Sequence, residues 1–221
     1  MNLRAEIVQV AHALYAGKMV AAYDGNISAL TPHGTVLITP SGVCKGELTE
    51  EDIIEITPEG EKLRGSRRPS SESALHLHIY RNRLDVTSVV HAHPVYASAF
   101  ACTNVSLDRP VFPEVILSLG RIPLCRYGAP STDDLPDSLN PYLGYADVFL
   151  LQNHGAVTVG ATVKQAYYRM EKLEHTAMVM QKAYQLGEIR ELSETELEKL
   201  YLLAETSYGI NLKPENRYRH E

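Results

Sequence analysis

Val86-Thr87-Ser88-Val89-Val90-His91-Ala92-His93-Pro94 is a run rich in β-branched residues that ends on two histidines and a proline. Such side chains favour an extended backbone, so Val86–Val90 reads as a strand leading into His91-Ala92-His93. Residues two apart on an extended chain face the same side. His91 and His93 can therefore present two imidazoles together, at a strand end marked by Pro94. A second apolar strand, Asp147–Leu151, ends in Gln152-Asn153-His154-Gly155, and Ala156–Val159 returns as another short strand. Alone, the His-Ala-His pair is either a polar strand surface or a pair of ligands. With His154 at the end of another strand, three neutral imidazoles form a donor set suited to a divalent transition metal.

The flanks of these strands look helical. Leu3, Ile7, Val10 and Leu14 predict a helix over 2–16 that stops at Gly17. Asp24-Gly25-Asn26 reads as a turn, Thr35–Thr39 as a strand, Pro40-Ser41-Gly42 as a turn and Asp52–Ile56 as a second strand. A basic loop, Arg64 to Pro69, precedes a helix expected to open at Ser70-Ser71 and run to about Leu84. Tyr96–Cys102 is a short helix, and Ile122–Tyr127 is the strand expected within the proline-rich stretch 103–145. Thr162 with Gln165, and Ser193 with Glu196, read as capping boxes opening two C-terminal helices. The first carries the stripe Val163, Ala166, Tyr167, Met170, Leu173, Ala177, Met180 and Tyr184 and ends at Gly187; the second runs to Tyr208-Gly209. With no repeat and no linker, residues 1–221 are expected to form one α/β domain, with mixed strands in the middle and helices at both ends.

Composition excludes several classes. With 21 basic and 27 acidic residues the net charge is −6, unlike a dedicated nucleic-acid binder. No apolar run approaches the ~18 residues of a membrane span, and the amphipathic start lacks a signal-peptide core. Cys44, Cys102 and Cys125 are too scattered for a disulfide framework, which points to a reducing cytoplasm.

Other residues carry two readings each. Ser70 and Ser71, at a helix start, either cap the helix or hold an anion. Glu72 either complements the helix dipole or acts as a general base beside a metal. The turns Gly25-Asn26 and Ser41-Gly42 could offer N–H groups to an anion. His76 and His78 form a second His-x-His on a helix, where side chains two apart diverge by about 200°; they are expected at the surface or the edge of the core.

Five short motifs occur in one order: Gly25-Asn26-Ile27-Ser28, Ile38-Thr39-Pro40-Ser41-Gly42, Pro69-Ser70-Ser71-Glu72, His91-Ala92-His93 and Asn153-His154-Gly155. Over nearly the whole chain this resembles the class II aldolase/adducin family, and within it the L-fuculose-1-phosphate aldolase branch. The resemblance implies a central, mostly antiparallel sheet covered by helices. It implies a metal, usually zinc, held by His91, His93, His154 and Glu72; the same donors accept manganese or cobalt. It implies that Gly25, Asn26, Ser41, Gly42, Ser70 and Ser71 bind the phosphate of a sugar phosphate. It also implies a homotetramer with active sites between subunits. The implied reaction is reversible cleavage of a ketose 1-phosphate to dihydroxyacetone phosphate and a short aldehyde.

The chain departs from the family pattern in one place. The stretch Arg109-Pro110-Val111-Phe112-Pro113-Glu114 lacks the tyrosine that the family's aldolases use as acid, and Glu114 falls closest to it. Ser207-Tyr208-Gly209 does match the family's tyrosine tail, so Tyr208 and Glu114 are the candidates for the aldehyde-side acid. L-Ribulose-5-phosphate 4-epimerases usually have Asp in the Ser-Ser-acid motif, so Glu72 favours an aldolase. A methylthioribulose-1-phosphate dehydratase or aldolase is the next alternative. An adducin-like scaffold needs no metal set, and the complete one here argues against it.

Overall fold

A computed structural model describes residues 2–219 of the chain. Eight strands form one sheet: β1 Asn26–Leu30, β2 Val36–Ile38, β3 Ile54–Ile56, β4 Lys62–Arg64, β5 Ser88–Ala92, β6 Leu124–Cys125, β7 Val148–Leu151 and β8 Gly155–Gly160. Their order is β4-β3-β2-β1-β5-β8-β7-β6. All neighbours are antiparallel except the short parallel pair β6–β7. The helices are α1 Leu3–Ala16, α2 Ser73–Asn82, α3 Val95–Ala101, α4 Pro113–Ser118, α5 Asp134–Asp137, α6 Asn140–Leu143, α7 Val163–Leu186 and α8 Glu194–Leu203. The expected α/β fold, a mostly antiparallel sheet covered by helices, is the fold observed.

Period-two alternation builds a core on each face of the sheet. Val90, Val148, Leu150 and Ala156 pack with Ile7 and Leu14 of α1, Phe100 of α3 and Met170 and Leu173 of α7. Val89, Phe149, Leu151 and Val157 pack on the other face with Leu75 and Ile79 of α2. Each Val, Leu, Ile, Phe or Met among them contributes about 1.5–3 kcal/mol when fully buried. Because both faces are covered, β5, β7 and β8 are apolar along most of their length. His91 follows Val89 on the α2 face, and antiparallel pairing sets it between Asn26 of β1 and Val157 of β8.

Several expectations change in detail. Asn26 opens β1 rather than closing a turn, so the turn ends at Gly25. The helix expected at Ser70 starts at Ser73, with Ser70 and Ser71 in the preceding turn; Ser70 Oγ accepts from the Glu72 N–H instead. The expected strand Asp52–Ile56 keeps only Ile54–Ile56, because a Thr49–Asp52 capping box coils residues 50–52. The strand expected over 122–127 shrinks to Leu124–Cys125 behind Pro123, which has no N–H to pair. Thr162 caps α7 by accepting from the Gln165 N–H, but the Gln165 side chain accepts from Ala161 rather than closing a box. The Ser193–Glu196 box is complete. The last helix ends at Leu203, and a wider π turn carries the chain over Ala204–Tyr208 to a left-handed Gly209. Among the described residues no helix is long and apolar enough to cross a membrane.

Candidate metal centre and cavity

Three strand ends deliver the histidines to one point. His91 is the fourth residue of β5 and is fully buried, and His93 lies just past the strand. His154 sits in the three-residue turn between β7 and β8. Gly155 makes this approach feasible: a Cβ there would lie 2.5 Å from the Ala92 carbonyl oxygen and 2.6 Å from His93 Cδ2. The ring centroids are 4.8–5.0 Å apart. Among the described residues these three are the only histidine, cysteine and acidic cluster with ligand atoms this close, all within 4.8 Å.

Glu72 lies at the N-cap of α2, yet its carboxylate caps nothing. Instead Oε2 lies 3.3 Å from His91 Nε2, and Oε1 lies 3.3 Å from His154 Nε2. His93 Nε2 lies 3.1 Å from His91 Nε2. Four donors bonded tetrahedrally to zinc at about 2.0–2.1 Å stand about 3.3 Å from one another, so these spacings fit a metal. The His91 tautomer fits too. Its Nδ1–H donates to the Ala156 carbonyl at 3.0 Å, which leaves the Nε2 lone pair facing the cluster. Burial, reinforced by the adjacent imidazoles, holds His91 far below the ordinary histidine range and therefore in its ligating form. Burial also lowers His154, against an opposing pull from Glu72. His154 Nδ1 is buried without a hydrogen-bond partner.

Beside this cluster is a cavity of about 210 Å³. Gly25, Asn26, Ser41, Gly42, Ser70 and Ser71 all line it, together with Glu72, His93, His154, Tyr23 and Asp24. Backbone pairing brings the serine turns together: Ser70 N–H donates to the Thr39 carbonyl, and Ser41 N–H to that of Arg68. Gly25 must be glycine, because its φ is +72° and a Cβ would lie 2.8 Å from the His91 carbonyl oxygen.

The Aldolase_II family model, described as class II aldolase and adducin N-terminal domain, matches residues 5–181. The chain belongs to the class II aldolase/adducin family. It is a class II, metal-dependent enzyme, a lyase. It is 36% identical over 179 residues to an L-fuculose phosphate aldolase of Methanococcus vannielii, covering 80% of this chain and 94% of that protein. It is 34% identical over 184 residues to a 3-oxo-tetronate 4-phosphate decarboxylase of Escherichia coli O6:H1, covering 81% and 86%. The crystal structure of YgbL from Klebsiella pneumoniae superposes with a TM-score of 0.82 at 33% identity, covering 90% of this chain and 97% of that one.

Not every expected class II aldolase residue reaches the cavity. Glu114, in the first turn of α4, and Tyr208, 61% exposed in the π turn, do not line it within one chain. His76 is corrected as well: it is completely buried, with no exposed surface, while His78 is half-buried and bonds Asn140. His76 Nε2 meets Asn26 Oδ1, and its Nδ1 lies 2.6 Å from Ser28 Oγ.

Two further residues escaped the sequence reading. Asp24 Oδ2 lies 3.6 Å from His93 Nδ1 at the cavity wall. The buried Lys45 Nζ donates to the Tyr23 and Val43 carbonyls at 2.9 and 3.0 Å, joining the two turns that carry Gly25 and Gly42. Burial lowers the Lys45 pKa. A lysine in a charged, Gly-containing segment gives no sequence signal of burial.

Proposed function

We propose that the chain reversibly cleaves a ketose 1-phosphate, of the L-fuculose 1-phosphate kind, to dihydroxyacetone phosphate and a short aldehyde. The carrying observation is that the histidine–glutamate cluster and the six phosphate-type residues border one cavity. His91, His93, His154 and, in the free enzyme, Glu72 would hold the metal, which would supply a Lewis acid for the charge that builds on the substrate carbonyl oxygen when the C3–C4 bond breaks. Three imidazoles with one carboxylate favour zinc, and manganese or cobalt suit the same donors.

The chain's own residues do the rest. The hydroxyls of Ser41, Ser70 and Ser71, the N–H groups of Gly25, Gly42 and Ser71, and the Asn26 amide hydrogen not given to Glu72 anchor the phosphate. Remote binding energy then aligns the reacting bond. Glu72, next to both the histidines and the cavity, carries the proton to and from C3. Tyr208 or Glu114 of a neighbouring subunit serves the aldehyde oxygen, in a homotetramer in which residues 1–221 act as one domain. The three unpaired cysteines agree with a cytoplasmic enzyme.

One observation favours a second reading. Neither Glu114 nor Tyr208 lines the cavity within one chain, and loss of carbon dioxide from a 3-oxo acid 4-phosphate needs no acid on the leaving group. That decarboxylation also leaves a carbanion beside the ketone and, after protonation, dihydroxyacetone phosphate. The test is a panel of ketose 1-phosphates, ketose 5-phosphates and a 3-oxo-tetronate 4-phosphate with metal-loaded protein, reading dihydroxyacetone phosphate and carbon dioxide. Aldehyde release from a ketose 1-phosphate upholds the first reading, and carbon dioxide release the second. Epimerisation of a ketose 5-phosphate alone rejects both.

A further inference from the structure

We infer that His76 is a positioning residue: it fixes the Asn26 side-chain amide so that its NH2 group faces the Glu72 carboxylate. The inference rests on the proton-carrying role given to Glu72 above. A spacing of four places Glu72, His76 and Tyr80 along one face of the α2 segment, and a spacing of two places Asn26 and Ser28 on one face of β1. The two sets interleave.

Donor directions follow from one end of this chain of contacts. A carboxylate accepts only, so the Asn26 atom 2.8 Å from Glu72 Oε2 is Nδ2. Asn26 Oδ1 then faces His76 Nε2, which must carry the hydrogen. A neutral imidazole has one N–H, so Nδ1 accepts, and the Ser28 hydroxyl 2.6 Å away is its donor. Ser28 has no second hydrogen, so the Tyr80 hydroxyl, also 2.6 Å away, donates to Ser28. His76 and Ser28 are fully buried and Asn26 is 4% exposed, so little water competes for these bonds. Burial also keeps the His76 ring neutral. The opposite tautomer would pull the Asn26 NH2 group toward His76 and set its carbonyl oxygen against the carboxylate, acceptor facing acceptor. His76 thereby directs Asn26, and Asn26 holds Glu72 at the junction of the metal cluster and the cavity.

The first test reads the full-length, metal-free protein by 15N NMR of labelled histidine at pH 7, with the His76 signal assigned by its loss in His76→Gln. The expected state is the neutral Nε2–H tautomer; an Nδ1–H tautomer or a protonated ring overturns the inference. This readout needs no activity, so it stands apart from failure of the proposed reaction, which would appear as a wild type that exchanges no deuterium into dihydroxyacetone phosphate. The second test measures that exchange in metal-loaded variants. His76→Phe should lower its kcat about 10–100-fold with metal content little changed, the range found for outer-shell partners. His76→Gln, which keeps an N–H donor, should restore most of the loss. Ser28→Ala, which removes only the donor to Nδ1, should lower kcat less than His76→Phe and decides the matter if that variant does not fold. Unchanged exchange in the folded variants, equal loss in Phe and Gln, or a change confined to KM overturns the role.

Discussion

His91 and His93 bring their Nε2 atoms to 3.1 Å of each other. The Nδ1 of His91 is committed to the Ala156 carbonyl, so its Nε2 lone pair is free. In the metal-free chain the Nε2–H of His93 donates to that lone pair, and a cation shared by the two nitrogens takes the place of the hydrogen. His93→Ala should therefore lower metal affinity by more than the roughly 10–100-fold seen for outer-shell changes. Chelator competition followed by metal analysis checks this, and full occupancy in the variant would count against the cluster as the metal site.

The phosphate residues predict a graded effect. Hydrogen bonds to a charged group contribute about 1.5–3 kcal/mol. Ser41→Ala or Ser71→Ala should thus weaken competitive inhibition by a phosphorylated ketose about 10-fold or more, while a non-phosphorylated ketose should bind both variants and wild type alike. Equal loss for both ligands would show that the serines act on the fold instead.

Buried His76 predicts an acid-sensitive fold. Burial, with the nearby His91, lowers its pKa to about 3 from an ordinary value near 6.5. Between those values the unfolded chain takes up a proton that the folded chain does not, so stability falls as pH drops from 6.5 toward 3. The slope for one proton is at most about 1.4 kcal/mol per pH unit. Urea unfolding of metal-free wild type and His76→Gln at pH 7 and 5 should show a smaller acid loss in the variant. The same loss in both would mean that other groups carry the titration.

The tail predicts a split between two rates. Tyr208→Phe, which leaves in place the buried Asn216 and Tyr218 further along the tail, should keep metal binding and the proton exchange at dihydroxyacetone phosphate intact, because Tyr208 lies outside the cavity of its own chain. Aldol turnover should fall by about 10²-fold or more if Tyr208 is the acid. Equal loss of both rates would make Tyr208 structural and favour Glu114.

The metal site was legible because its information is local. His91 lies near the end of one apolar strand, His93 just past it and His154 just past another, and strand periodicity carries them to the same sheet end. Glu72 was ambiguous because the same residue type at a helix start serves the dipole, and only the fold shows its carboxylate turned toward His91 and His154. His76 and His78 diverge on the helix as a pair, and that pairing hides the burial of His76. The informative spacing was Glu72, His76 and Tyr80, one face of α2, opposite a strand β1 hidden behind the Asp24-Gly25 turn. Asp24 and Lys45 act through side-chain and backbone contacts between turns, for which sequence periodicity offers no sign. The short helices α4–α6 lie in proline-rich sequence, where neither strand nor helix period is expressed.

The most direct measurement of the account is solvent deuterium exchange into dihydroxyacetone phosphate, followed by proton NMR with metal-loaded wild type, chelated wild type and Glu72→Gln. Both cleavage readings share this step, so it tests the metal, the phosphate anchor and the base together. The account predicts stereospecific exchange by the loaded wild type, its loss on chelation, and a fall of about 10²–10⁴-fold in a folded, metal-containing Glu72→Gln. Exchange that persists undiminished in Glu72→Gln would contradict it.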